Sequence, residues 1–275
     1  MNTNSNTYTV IYTTLVCVLV AAILAFVSQL LKPKQDANEK AETISQILTA
    51  AGFEQKAHWQ EVGNAATLAF YKENLAEACL VNAKGETLGT LDKEKAVIYT
   101  PSELKVQNRS IKGGKDFKVP VYTFNNGVTV IPIYGAGLWG PVWGYLSFDE
   151  SLDNLAGAYF DHESETPGLG GKIKDDPAFR AQFKGKTVDW TDAKPFDIVK
   201  GGAPAGKRNA IDAITGATMT SKGLGEAINN WLEAYKGYLQ GKVQAKAAVQ
   251  AALEAEAAAA EAEAEAAGTE NQTAE

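Results

Sequence analysis

The first charged side chain of this 275-residue sequence is Lys32. Ahead of it, Val10 to Leu31 reads "VIYTTLVCVLVAAILAFVSQLL", almost wholly apolar. In lipid such a run satisfies its backbone polar groups by forming a helix. At ~1.5 Å per residue it matches a hydrocarbon core of roughly 30 Å. A cleaved signal peptide is the competing reading. It fits poorly, because "MNTNSNTYT" holds no Lys or Arg and the apolar run is too long. The sequence therefore predicts an N-terminal tail over 1–9 and a retained single-pass transmembrane helix over 10–31. Lys32, Lys34 and Lys40 follow the helix and nothing basic precedes it. Taken alone, the positive-inside tendency leaves the rest of the chain in the cytoplasm.

That remainder is long enough, and ordinary enough in composition, to fold. Hydrophobic residues make up 45% and charged residues 21%, usual for a globular core. The net charge of −7 argues against a nucleic-acid partner. Most of the imbalance lies in 241–275, with seven Glu and two Lys, which leaves 26 acidic and 24 basic residues elsewhere. Cys17 sits in the apolar run, so Cys79 is the lone thiol of the soluble part and has no partner there. Two histidines, His58 and His162, are too few for a His-based zinc site. No serine lies in a G-x-S-x-G stretch.

"NEKAETISQILTAAGF" has helical apolar spacing at Ile44, Ile47, Leu48 and Ala51, with Gly52 as a stop. Strand-like runs follow: "TLAFY" (67–71), "ACLVN", "VPVYTF", "VTVIPIYG", "VWGYLSF" and "LAGAYF". "NNG" at 125–127 reads as a hairpin turn, and Asp176 before Pro177 as a helix start. The pattern predicts an α+β domain over 38–240, with a mixed or antiparallel sheet and flanking helices. After Gly241 the chain is nearly all Ala and Glu, which reads as a solvated helix or a poorly ordered extension over 241–275.

Three short stretches invite a chemical reading. "IPIYGAGLWGPVWGYLSF" punctuates two strands with Gly135, Gly137, Gly140 and Gly144 and carries Trp139 and Trp143. It is either a kinked hairpin with core tryptophans or a wall for a planar ligand. "DHESETPGLGGKI" holds a turn at Glu165–Gly168, either a plain surface turn or a source of backbone groups that read the polar edge of a ring. "DAITGATMTS", Asp212 to Ser221, crowds four hydroxyls around Gly216–Ala217, just ahead of an amphipathic helix "KGLGEAINNWLEAYKGYL". A capped helix entrance explains it. So does an anion site, where Gly216 and Ala217 clear room while Thr215, Thr220 and Ser221 donate to phosphate oxygens.

"DAITGATMTS" resembles the flavinylation sequence of the FMN-binding domain family: Asp, a small residue, any residue, Ser or Thr, Gly, Ala, Thr, any residue, Ser or Thr. Every required position matches, and "YGAGLWGPVWGYL" and "HESETPGLGGKI" resemble the family's flavin-contacting loops. The resemblance implies an FMN-binding domain with FMN esterified through its phosphate to Thr218. It implies Leu138, Trp139, Gly140, Glu165, Thr166, Gly168 and Leu169 around the ring, and Thr215, Gly216, Ala217 and Ser221 near the phosphate. Neither a metal site nor a catalytic residue is implied. The anchor, "ILTAAGF" and the three loops in this order are most similar to the flavin subunits of complexes that oxidise NADH, reduce ubiquinone and expel sodium. The flavin subunits of ferredoxin:NAD electron-transport complexes share the loops. Other subunits of the complex and an FAD-using flavin transferase are the implied partners. The implied place is the inner membrane of a bacterium with the domain on the periplasmic side, against the lysine count. An anchored module that binds its ligand noncovalently is the alternative from another class.

Overall fold

The computed structural model describes residues 6–272, and side chains as far as residue 257. Residues 1–5 and 273–275 of the expected terminal tails lie outside the described residues. The apolar run forms part of helix α1 (Asn6–Ala50). The sequence reading treats the membrane span and the helix around "AETISQILTAAGF" as separate; the chain joins them in one helix of 45 residues that runs through Pro33. A proline costs one intrahelical hydrogen bond, but good helix formers on both sides carry the helix across. Side chains from Val10 to Leu31 are exposed, whereas Ile44, Ile47 and Leu48 are fully buried in the domain. Gly52, at φ 81°, turns the chain away.

Helix α2 (Lys56–Asn74) corrects one expectation, because "TLAFY" lies within it and is not a strand. Trp59, Thr67 and Tyr71 are its buried residues. Gly63, at φ 82° and ψ 169°, kinks the helix between Trp59 and the other two, and Thr67 and Tyr71 lie four residues apart on one face, a spacing that a five-residue window shows only once. Thr67 Oγ also donates to the Gly63 carbonyl at 3.0 Å. Strands β1 (Leu75–Val81) and β2 (Thr87–Thr90) precede helix α3 (Pro101–Lys112), whose entrance is a capping box of Thr100 and Glu103. Then come β3 (Val119–Phe124), β4 (Thr129–Ala136), β5 (Pro141–Phe148) and β6 (Leu155–His162). The six strands form one antiparallel sheet in the order β2-β1-β3-β4-β5-β6. Short helices α4 (Lys172–Asp175) and α5 (Pro177–Ala181) follow. Asp176 caps α5 by accepting from Ala178 N–H at 2.9 Å. A parallel pair, β7 (Asp197–Val199) and β8 (Ala210–Asp212), leads into helix α6 (Thr218–Gln272). There is no break at Gly241.

Apart from the exposed edge strand β2, the sheet is covered on both faces, which is why β3, β4 and β5 read as nearly continuous apolar runs. Val121, Ile131, Ile133 and Leu146 face one core, with Leu224, Ile228, Trp231 and Tyr235 of α6. Tyr122, Phe124, Val130 and Tyr145 face the other, with Ile44, Ile47 and Leu48 of α1 and Tyr71 of α2. Alternate residues of one strand therefore serve opposite cores. Trp231 locks α6 to the sheet, its Nε1–H donating to the Tyr134 carbonyl at 2.8 Å. The start of α6 lies directly on the end of β4. A Cβ at Gly223 would stand 2.1 Å from the Ala136 carbonyl oxygen, and one at Gly135 would stand 2.5 Å from Ala227 Cβ. That close crossing carries the first turn of α6 to the β4–β5 loop.

Candidate functional site

The three stretches singled out in the sequence meet at one buried carboxylate. Glu165, only 4% exposed, lies in the loop after β6. Its Oε1 accepts the Trp139 N–H from the β4–β5 loop at 2.8 Å. Its Oε2 accepts the Thr220 hydroxyl from the first turn of α6 at 2.5 Å. Its own N–H donates to His162 Nδ1 at 3.1 Å, which places the imidazole proton on Nε2. Space for the carboxylate exists only because two neighbours lack side chains. A Cβ at Gly137 would come within 2.4 Å of Oε1, and one at Gly170 within 2.3 Å of Oε2. The β4–β5 loop closes on itself as Gly137 N–H donates to the Gly140 carbonyl at 2.7 Å. Ser164 Oγ donates to the Trp139 carbonyl at 3.0 Å, so Trp139 is held at both backbone ends.

A second buried carboxylate supports the first. Asp161, at the end of β6, is 4% exposed. It accepts from Gln46 Nε2 of α1 at 2.9 Å and from His162 N–H at 2.8 Å. Lys174 Nζ of α4 lies 2.8 Å away and Lys56 Nζ of α2 lies 3.8 Å away. The Gln46 amide also receives Trp143 Nε1–H at 3.2 Å. Trp143 is thus a half-buried structural residue. The charge is paired and hydrogen-bonded, as burial demands. Through Asp161 the inner end of α1 is tied to the strand that feeds the Glu165 loop.

The hydroxyls of "DAITGATMTS" divide into two sets. Thr220 and Ser221 are turned inward, each 1% exposed. Thr220 is bound to Glu165, and Ser221 Oγ accepts the Ile214 N–H at 3.1 Å. Both have protein partners, unlike the free donors envisaged from the sequence. Thr215 and Thr218 are exposed. Thr218 is the first residue of α6, and its hydroxyl makes no hydrogen bond among the described residues. No acidic residue of α6 itself occupies its first turn, and the carboxylate nearest the positive end of its dipole is Glu165, bound to Thr220. Ala217 is buried, with its N–H on the Ile214 carbonyl at 3.1 Å. Gly216 has φ 82°, a value L side chains rarely adopt, and Leu169 approaches it closely.

Around this point the surface is apolar. Leu138, Leu169 and Met219 are exposed, and Trp139 is 65% exposed. The sequence offered Trp139 as a core residue or a ligand wall; its indole is outside the core. Thr166 and Gly168 lie in the adjoining turn, Gly168 at φ 75°. Leu169 and Gly171 N–H groups already donate to the Thr166 carbonyl, at 3.1 and 3.0 Å. Gly140 is half-buried beside Ser164. On its other side Thr218 borders a cleft of about 430 Å3, lined among others by Lys194, Lys200, Lys222 and Asn230. Lys194 and Lys222 are each 3.8 Å from a carboxylate, Asp197 and Glu226. Sequence reasoning passed over Met219, Gly170, Ser164 and this cleft. Met219 carried a signal, since it is the apolar neighbour of Thr218. The arrangement fits FMN: an open hydroxyl at a helix N-terminus for the phosphate, and exposed apolar side chains for the ring.

The comparisons agree. The model of the FMN-binding domain matches residues 137–233, a span holding the second and third stretches whole and the first from Gly137 onward. The C subunit of the Na(+)-translocating NADH-quinone reductase of Pasteurella multocida is 30% identical over 239 residues, 82% of this chain and 89% of that protein. The Vibrio parahaemolyticus counterpart is 29% identical over 236 residues, 81% of this chain and 88% of that one. The crystal structure of the Parabacteroides distasonis counterpart superposes with a TM-score of 0.62 at 30% identity, covering 76% of this chain and 96% of that one. With its apolar helix, six-stranded sheet and FMN-binding domain, the chain belongs to the family formed by the C subunits of Na(+)-translocating NADH-quinone reductases.

Proposed function

We propose that the chain carries FMN covalently on Thr218 and relays electrons within a sodium-translocating NADH:quinone reductase. The observation that carries this reading is the exposed, unengaged Thr218 hydroxyl at the start of α6, beside two hydroxyls locked inward. Attachment is a phosphoryl transfer from FAD on a separate flavin transferase. A bond forms between Thr218 Oγ and the FMN phosphorus, and the bond between the two phosphates breaks. AMP leaves with the bridging oxygen and its electron pair, and the hydroxyl proton passes to a base of the transferase. The α6 N-terminus then faces the phosphate charge. Leu138, Trp139, Leu169 and Met219 cover the apolar body of the ring. The flavin supplies the redox chemistry, while the chain sets its position and surroundings.

NADH, quinone and sodium are handled elsewhere in the complex, and ion pumping belongs to the assembly. α1 crosses the membrane once and holds the domain against the partner subunits. We place the domain on the periplasmic side, since large domains translocate despite modest flanking charge. The test of attachment is Thr218→Ala, read by in-gel fluorescence after denaturation. The variant is expected to fold and to lose covalent flavin entirely. A fluorescent variant band moves the linkage to Thr215. Parental flavin that acid or heat releases points to noncovalent binding.

A further inference from the structure

The sequence places Glu165 among the residues that meet the flavin ring. Its geometry gives it another task. Both carboxylate oxygens are already occupied, one by the Trp139 N–H and the other by the Thr220 hydroxyl, and the group is almost wholly buried. Its buried carboxylate is committed to the protein and turned away from a ring. We propose that Glu165 is a positioning residue, a clasp that fixes the site of flavin attachment relative to the wall on which the ring lies. This rests on the reading of Thr218 as the attachment point.

Thr220 and Thr218 share the first turn of α6. A helix can rotate about its axis or slide along it, and Thr218 Oγ has no bond of its own to resist either motion. Trp231 holds the body of α6 on the sheet; Thr220 holds its first turn, and the Ile214–Ser221 bond adds a second point of hold in the same turn. Oε1 meanwhile fixes the backbone of Trp139, whose indole stands in solvent. One carboxylate therefore sets two positions together, the hydroxyl that receives the phosphate and the indole that meets the ring. The fold makes room for it at Gly137 and Gly170. The Asp161–His162 pair holds its main chain. Two buried charge-assisted bonds on a single carboxylate give a stiff connection.

The clasp predicts that attachment rate and flavin surroundings change together. The experiment follows covalent incorporation by in-gel fluorescence, with the full chain, a purified FAD-using transferase and FAD. It records thermal melting and the visible flavin spectrum for the parent, Glu165→Ala, Glu165→Gln, Thr220→Val and Thr218→Ala. Glu165→Ala and Thr220→Val are expected to slow incorporation by about ten- to a hundredfold, as a misplaced reacting group does. Their flavin bands should shift. Glu165→Gln should stay within about threefold of the parent, because the amide oxygen still accepts from Trp139 and the amide N–H2 donates to the Thr220 oxygen. Should Glu165→Ala fail to fold, Thr220→Val is nearly isosteric and carries the test.

Parental rates and spectra in folded Thr220→Val would overturn the clasp. So would a Glu165→Gln variant as slow as Glu165→Ala, which would make the negative charge, and not the connection, the working feature. A variant that melts lower yet attaches flavin at the parental rate would reduce Glu165 to a purely structural residue. Thr218→Ala separates the two readings. A dark Thr218→Ala with parental rates in Thr220→Val defeats the clasp alone, whereas a fluorescent Thr218→Ala defeats the attachment reading beneath it.

Discussion

Trp139 keeps its backbone inside the fold and its indole outside. Its N–H and carbonyl are both bonded, to Glu165 and Ser164, while the ring is mostly exposed. Removing the indole should therefore cost little stability, within about 0.5 kcal/mol, as for most surface changes. The flavin should feel the loss. An aromatic contact is worth about 0.5–1.5 kcal/mol, and if the two redox states feel it differently by that much, the potential moves by about 20–60 mV. Trp139→Ala is expected to show a shift of that size and brighter flavin fluorescence. An unchanged potential and spectrum would put the ring elsewhere on this surface. The sequence could not decide between the two fates of this indole, because a four-residue loop at 137–140 breaks the period of two that would assign it a face. Hydroxyl phase was hidden for a related reason. The count of four in Asp212–Ser221 was legible, but their orientation depends on where α6 begins, and that is Thr218, ahead of the amphipathic run that marked the helix.

The element that matters most to the site is the N-terminal part of α6, where it crosses the end of β4. Gly223 and Gly135 permit that contact, and Gly223 and Gly225 of the helix make a clean comparison. A Cβ at 223 would overlap the Ala136 carbonyl at 2.1 Å, with backbone on both sides of the clash. At 225 it would meet only Ile198 at 3.7 Å, an ordinary contact. Gly223→Ala should cost about 1–3 kcal/mol through overpacking, lowering the melting temperature by about 2–12 °C for a domain of this size. Gly225→Ala should be neutral or stabilising by up to about 1 kcal/mol, since alanine is the better helix former. Equal melting temperatures in the two variants would show that α6 does not cross β4 this closely. Such crossings are invisible in a single sequence, where all glycines look alike. The strands were more legible. "VPVYTF" is β3 residue for residue, and the turn after it has Gly127 at φ 80°. "TLAFY" misled because four consecutive apolar residues fit either period. Helix α3 went unread although Thr100, Pro101 and Glu103 spell its capping box.

At the scale of the whole molecule, α1 is a stalk as well as an anchor. Lys32 to Glu39 are exposed, and packing against the domain begins at Ala41. Ten residues of helix separate Leu31 from Ala41, a span of about 15 Å. The domain is therefore carried at a fixed distance from the end of the apolar run, on whichever side it lies. The lysines after the helix and the family expectation disagree about that side, and the folded domain offers a way to decide. Its native thiols leave the field clear. Cys79 is 2% exposed, and burial raises its thiol above the ordinary range, so little reactive thiolate forms. Cys17 lies within the apolar run. Ala251, by contrast, is exposed on the outer part of α6, well past the last core contacts at Leu239 and Val243. Ala251→Cys should leave the fold undisturbed and give one reactive position. With the domain in the periplasm, a membrane-impermeant maleimide should label this variant as fully in intact spheroplasts as after lysis, while the parent stays dark. Labelling that requires lysis would place the domain in the cytoplasm. Under the proposed attachment to Thr218 it would also put flavinylation on the cytoplasmic side, because a transferase has to reach that hydroxyl from the same compartment.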